Sequence, residues 1–315
     1  MYRGRFAPSP TGDLHLGSAA CAIVAYGFAR AAAGAFVMRV EDIDTPRVKA
    51  GVEARQLEDL RWLGIEWDEG PDVGGVHAPY RQSERLAHYD AAMAKLDAQG
   101  LTYLCDCSRA DIAKVASAPH EGDEGPRYPG TCRELGMRER EWKRSPAVRI
   151  KVPERAIVVD DRLQGSFAEN VAERVGDFVL RRGDGVYAYQ LAVVVDDLAM
   201  GITDVVRGAD LLGSTARQML LADLLGGKPP SYAHHAMVLA EDGGRLAKRG
   251  GGATLRDERA AGTRPEAIVA RLATGLGIVG KGEPAPAAMS MRELISVFDP
   301  TRLQFSKSVT VASRS

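Results

Sequence analysis

The residues with chemical potential fall into three groups. Near the amino terminus, Gly12-Asp13-Leu14-His15-Leu16-Gly17 follows a Pro/Gly turn (Pro8-Ser9-Pro10-Thr11-Gly12) and opens an Ala-rich apolar run. A strand leading through such a turn into a helix presents unpaired backbone N–H groups and a positive helix end, a ready anion site. His15 can donate to a phosphate oxygen there, and Gly17 lets a nucleotide lie against the first helical turn. The second group is Cys105-x-Cys107 with Cys132, three of the four cysteines within 28 positions. Three thiolates and one more donor suit tetrahedral zinc, and both Tyr128 and His120 are near enough in sequence to be that donor. The third group is the pair of doublets Asp160-Asp161 and Asp196-Asp197. In strands, adjacent residues point to opposite faces, so each doublet is expected to split and to be structural or ribose-facing rather than a metal site.

These groups need elements to hold them. A short strand is expected near Arg3 to Ala7, a helix from about Leu16 to Ala33, a strand from Phe36 to Val40, and an amphipathic helix through Val52, Leu57, Leu60 and Leu63. Strand, helix, strand, helix means a parallel sheet. A third helix, Gln82 to Gln99, carries Leu86, Tyr89, Met93 and Leu96 on one stripe and delivers the chain into the cysteine region. Short strands near Val148 to Val152, Ile157 to Val159 and Phe178 to Leu180 read as a small mixed insertion. The α/β pattern resumes at Tyr187 to Val195, followed by a strand Asp204 to Arg207, a helix capped at Ser214 and running to Leu225, a strand Ala236 to Ala240, and helices Pro265 to Thr274 and Met291 to Val297. Cys21 reads as a small core residue.

Composition sets the outer limits. The 315 residues leave room for two or three compact units, and 45% hydrophobic with 26% charged is an ordinary globular balance that excludes disordered and fibrous classes. With 41 basic against 42 acidic side chains, a nucleic-acid partner must be held by a local basic patch. Arg133 to Arg155 supplies one, eight Lys/Arg against four Glu, a net of +4 able to lie on phosphates. The most apolar stretch, Ser18 to Ala29, is too short to span a bilayer, no signal peptide opens the chain, and four cysteines make no disulfide scaffold, so a cytoplasmic chain without a membrane partner is expected.

The ordered set Arg5-Phe6-Ala7-Pro8-Ser9-Pro10-Thr11-Gly12, His15-Leu16-Gly17-Ser18, Arg39-Val40-Glu41-Asp42-Ile43-Asp44, Tyr80-Arg81-Gln82-Ser83, Val206-Arg207-Gly208-Ala209-Asp210 and Leu246-Ala247-Lys248-Arg249 resembles the catalytic domain of class I glutamyl-tRNA synthetases over roughly residues 3 to 275. The resemblance implies an α/β, Rossmann-type class I aminoacyl-tRNA synthetase domain at 1–102 and 186–262, a small zinc-bearing α/β insertion at 103–185, and a short helical C-terminal region and tail at 263–315 with no anticodon-binding domain. Within the family, that combination resembles the branch that transfers glutamate to the queuosine of tRNA(Asp). A monomer is expected.

What the resemblance implies for residues follows from the substrate. Glutamate has two carboxylates and an ammonium, so Arg5 and Arg207 are the candidates for bidentate carboxylate recognition, Glu41 for the ammonium, and Ser9 and Tyr189 complete the pocket. ATP with Mg2+ is the implied co-substrate, held by His15, Gly17 and Lys248, of which His15 and Lys248 are the candidate catalytic groups. Arg245-Leu246-Ala247-Lys248-Arg249 departs from the family's second signature in having Ala247 where a hydroxyl is usual. Cys105, Cys107, Tyr128 and Cys132 are the implied zinc ligands. Two rival functions share the motifs: a truncated glutamyl-tRNA synthetase charging a tRNA 3' end, and a nucleotidyltransferase adenylating a small molecule. A zinc-bearing RNA-binding module without catalysis is the rival from another class.

Overall fold

A computed structural model of the chain describes residues 1–115, 127–137, 140–239, 254–279, 285–303 and 308–310. Its strands are β1 (Arg3–Phe6), β2 (Ala35–Met38), β3 (Thr102–Cys105), β4 (Ala147–Ile150), β5 (Ala156–Asp161), β6 (Gly165–Asn170), β7 (Val179–Arg181), β8 (Asp204–Gly208), β9 (Ser231–His235), β10 (Met237–Leu239) and β11 (Ser308–Thr310). Its helices are α1 (Leu16–Ala31), α2 (Val52–Trp62), α3 (Leu86–Ala98), α4 (Arg109–Val115), α5 (Val171–Arg174), α6 (Tyr189–Ala199), α7 (Thr215–Leu224), α8 (Leu255–Ala260), α9 (Pro265–Gly275) and α10 (Met291–Val297). No helix among the described residues is long and apolar enough to cross a membrane.

β1 and β2 pair in parallel, as do β8 and β9, and the Thr203 amide donates to the Arg3 carbonyl at 2.9 Å, which seats β8 beside β1. The expected parallel sheet is therefore present. β5 joins it at a parallel pair, Asp161 with Tyr232, and carries β6 antiparallel on its outer side. Part of what reads in sequence as a separate insertion thus extends the sheet that contains β8. β3, β4 and β7 form their own sheet with β4 in the middle, and β10 pairs in parallel with β11.

α1 is apolar on nearly its whole circumference, which for a helix of this length means burial on every side. It lies against β1, β2 and β8 and is covered behind by α9 and α10. Gly27 makes the last contact possible, since a Cβ there would fall 2.4 Å from the Phe298 ring. A second core gathers α3, α6 and α7 around Tyr89, Leu96, Leu191 and Leu221.

Several sequence expectations change. Gln82–Glu84 is a 3-10 turn, so α3 begins at Leu86, whose side chain is exposed rather than part of the buried stripe. Asp196 and Asp197 lie in α6, not in a strand; a helix buried on several faces carries the same run of Leu191, Ala192, Val193, Val194 and Val195 as a buried strand. Asp160 and Asp161 do split across β5, the first exposed and the second buried. Ser214 precedes α7 without a side-chain cap; the strand expected at Ala236 to Ala240 is β10, and β9, just before it, was not expected.

Candidate active site and metal centre

The carboxyl ends of β1 and β8 open onto a cleft of about 510 Å³ lined by Ser9, Gly12, His15, Gly17, Arg207 and His235 among others. That is where an α/β sheet of this kind offers its loops to a ligand. Cys21 lines it too, half-buried at the cleft wall rather than inside the core.

His15 is the N-cap of α1. Its Nδ1 accepts the Ser18 amide at 3.1 Å, so in the neutral ring Nε2 carries the proton, next to the Ser18 hydroxyl at 3.2 Å. The ring is thereby held with its donor side turned away from the helix backbone. Gly17 secures that rotamer, because a Cβ at this position would stand 3.0 Å from both Nδ1 and Cε1 of His15. Lys248, with Arg245 and Ala247, lies outside the described residues.

Arg5 and Glu41 meet through Asp197, for which a structural or ribose-facing place was expected, and Arg39, to which no role was assigned. Arg5 donates Nε and Nη2 to Asp197 at 3.2 and 3.4 Å. Arg39, with a fully buried side chain, donates Nη1 to Asp197 at 2.6 Å and Nη2 to Glu41 at 3.1 Å. Asp196 takes Arg85 at 2.6 Å, Gln82 and Tyr89. Arg5, Arg39 and Arg85 against Glu41, Asp196 and Asp197 make a buried cluster of three cations and three anions. Burial pushes the Asp197 carboxyl up, but Arg5 and Arg39 outweigh it and hold it below the usual carboxylate range. The alternation of Arg39 and Glu41 two residues apart, on one face of an extended segment, was the available sequence signal.

Arg207 ends in the same region. Its Nε donates to His234 Nε2 at 2.9 Å, its Nη1 to Gln218 at 2.7 Å, and its Nη2 to Thr215 and the Leu211 carbonyl at 3.1 and 3.2 Å. Tyr189 opens α6, and its phenol lies within electrostatic reach of Arg207, Glu41 and Arg5. Arg5, Glu41, Tyr189 and Arg207 are therefore neighbours, with Ser9, His15 and Gly17 along the adjoining cleft. Asp42, by contrast, accepts the Ser83 amide and hydroxyl, and Asp44 makes no side-chain cap at the turn it precedes.

The three sulfurs of Cys105, Cys107 and Cys132 lie within 4.8 Å of one another. Tyr128 completes the group, its hydroxyl 3.3 Å from Cys105 Sγ and 3.9 Å from Cys107 Sγ, while Cys107 and Cys132 are 3.7 Å apart. Zinc with bonds of about 2.3 Å to sulfur and about 2.0 Å to oxygen at tetrahedral angles separates two sulfurs by roughly 3.8 Å and a sulfur from an oxygen by roughly 3.5 Å. The four donors fit. Arg149 lies 3.9 Å over the Tyr128 ring and Arg140 donates to Cys132 Sγ at 3.4 Å, so cationic groups surround the thiols. Burial raises the Cys105 thiol, but Tyr128, the Cys107 amide and Arg149 overcome it and lower its pKa, whereas Cys107, buried beside Cys105 and Cys132, is pushed up to about 12. His120 lies outside the described residues.

Within the basic stretch one cation is buried and several pair with acids, Arg144 and Arg155 doing so at the surface. Arg133, Arg140, Arg144 and Arg155 pair with Asp177, Asp106, Asp111 and Asp223, and Arg149 is buried.

A parallel sheet with a helix-capping histidine at its carboxyl edge and a charged pocket beside it defines a nucleotide-dependent α/β catalytic domain. The family described as tRNA synthetases class I (E and Q), catalytic domain, matches residues 1–313. A glutamyl-Q tRNA(Asp) synthetase of Symbiobacterium thermophilum is 49% identical over 96% of this chain and 94% of its own length. A glutamate–tRNA ligase of Carboxydothermus hydrogenoformans is 42% identical over 87% of this chain but 58% of its own. The crystal structure of a glutamate-tRNA synthetase from Elizabethkingia anophelis superposes with a TM-score of 0.82 at 31% identity, covering 98% of this chain and 68% of that one. The chain belongs to the class I tRNA synthetase family for glutamate and glutamine, among its glutamyl-Q tRNA(Asp) synthetases.

Proposed function

We propose that this protein activates L-glutamate with ATP and transfers it to the queuosine of tRNA(Asp). The observation that carries the reading is the match to glutamyl-Q tRNA(Asp) synthetases across nearly the whole of both chains, as in the 49% identical relative. In the first step a glutamate α-carboxylate oxygen attacks the α-phosphorus of ATP, the bond from that phosphorus to the α,β-bridging oxygen breaks, and the β- and γ-phosphates leave as pyrophosphate, giving glutamyl-adenylate. In the second, a queuosine hydroxyl attacks the activated carbonyl and AMP leaves. No side-chain nucleophile is needed, so positioning and charge stabilisation are the protein's contribution.

His15 Nε2–H donates to the phosphates at the start of α1, Gly17 keeps that ring in place, and Lys248 supplies the second cation. Arg5 and Arg207 face the glutamate carboxylates, Glu41 its ammonium, and Ser9 and Tyr189 close the pocket. Arg207 commits its Nε and Nη2 to protein acceptors and Nη1 in part, so it offers the substrate a single N–H rather than a fork. Mg2+ accompanying ATP neutralises phosphate charge. Cys105, Cys107, Tyr128 and Cys132 hold one zinc, which ties β3 to the loop after it and has no part in the chemistry.

The test is charging with labelled glutamate of tRNA(Asp) purified from cells able and unable to make queuosine. Label is expected only on the modified tRNA. Efficient charging of an unmodified tRNA(Glu) transcript at its 3' end would overturn the proposal in favour of a glutamate–tRNA ligase.

A further inference from the structure

His234 sits across from Arg207 in the β8–β9 register. Its side chain and that of Asp161 are fully buried. Asp161 Oδ1 accepts three backbone amides, those of Leu163, Gln164 and His234, at 3.0, 2.9 and 3.1 Å. Its Oδ2 is 2.5 Å from His234 Nδ1, and His234 Nε2 faces the Arg207 Nε–H at 2.9 Å.

Asp161 and Arg207 decide the tautomer, the Thr215 hydroxyl 3.3 Å from Nε2 being able to donate to it or accept from it. A carboxylate can only accept, so Nδ1 carries the proton; the Arg207 Nε–H can only donate, so Nε2 offers its lone pair. A second proton would set N–H against N–H, and burial together with Arg207 accordingly lowers the affinity of His234 for protons. We propose that Asp161 and His234 are positioning residues for glutamate recognition: the carboxylate fixes the imidazole tautomer, and the imidazole aims the Arg207 guanidinium into the cleft. The inference rests on the reading of Arg207 as a carboxylate ligand. It gives a strand from the stretch expected to be a separate insertion a direct part in setting the pocket.

Asp161→Asn is the informative variant. Its amide oxygen still takes the three backbone amides, while its NH2 must donate to Nδ1, which drives the proton to Nε2 and turns a donor on Arg207. The KM for glutamate in pyrophosphate exchange should rise roughly tenfold to a hundredfold, the cost of losing a hydrogen bond to a charged group, with the KM for ATP held. His234→Gln keeps an acceptor and should raise the glutamate KM less than His234→Leu. Since Gln has no tautomer, D161N added to H234Q should leave the glutamate KM at the H234Q value. An equal D161N effect in both backgrounds, or none in either, would overturn the proposal. If D161N does not fold, 15N spectra of the imidazoles in the parent protein decide, with His234 assigned by its loss in H234Q: the Nδ1-protonated form is required, and the Nε2-protonated form would refute it. Arg207→Lys separates the two layers. An unchanged glutamate KM in R207K removes Arg207 from the pocket altogether, whereas a raised KM in R207K without one in D161N removes only the relay.

Discussion

Asp197 spans the guanidinium of Arg5 with both carboxylate oxygens, Oδ1 to Nε and Oδ2 to Nη2. The Nε/Nη2 edge of Arg5 is thus filled by the protein, which leaves the end of the guanidinium, the two Nη1–H groups and the second Nη2–H, as the fork not bonded to Asp197. Asp197 also holds Arg39, so its removal takes away the carboxylate partner of buried Arg5 and leaves buried Arg39 with Glu41 and Asp196 only. Asp197→Ala is expected to lower unfolding stability by about 3–5 kcal/mol, the usual cost of breaking a buried pair from one side. Urea unfolding of parent and variant measures it.

Glu41 hangs from Arg39 by one hydrogen bond at 3.1 Å. Burial pushes its carboxyl up while Arg39 and Arg5 draw it down. Glu41→Gln keeps the shape and the bond to Arg39 but removes the charge opposite a substrate ammonium. The glutamate KM in pyrophosphate exchange should rise about tenfold or more with the ATP KM unchanged. An unaltered glutamate KM would take Glu41 out of the pocket.

The motif residues were legible in sequence because chemistry fixes their type and order: an anion turn needs Gly and a donor, a glutamate pocket needs cations and one carboxylate. What holds those residues was not. Asp196 and Asp197 stood out as a doublet, but their helical setting did not, because a helix buried on several faces and a strand write the apolar run before them identically. His234 and Asp161 are 73 residues apart and meet only through the β5–β9 pairing at Asp161 and Tyr232. Nor does local sequence reveal that most arginines of the 133–155 stretch already have partners, since those acids lie on other elements.

Gly17 gives a prediction that needs no change of charge. Gly17→Ala puts a methyl against the His15 ring and should slow pyrophosphate exchange by roughly tenfold, while His15→Ala and Lys248→Ala each slow it by about two orders of magnitude or more. Steady-state exchange rates at saturating glutamate and ATP distinguish these. Near-parental rates in both H15A and K248A would reject the ATP site.

Zinc is expected at one atom per chain in metal-replete protein, by elemental analysis. Tyr128→Phe removes the oxygen donor and should speed loss of the metal to a chelator more than His120→Ala does; the opposite order would make His120 the fourth ligand. Chelation should also lower the unfolding temperature, because the ligands join β3 to the Tyr128–Cys132 segment and metal binding is coupled to that local fold.

The packing of the final segments behind α1 bears on how the chain matures at the ribosome. The back of α1 is covered by Met291, Leu294 and Phe298, and β10 pairs with Ser308–Thr310. During synthesis α1, apolar on nearly its whole circumference, is therefore made long before the α10 segment that covers its back. That interval is when exposed apolar surface invites aggregation. Chaperone capture should accordingly be heavier on stalled nascent chains from which Ala31 but not Leu294 has cleared the exit tunnel than on those from which Phe298 has cleared it as well.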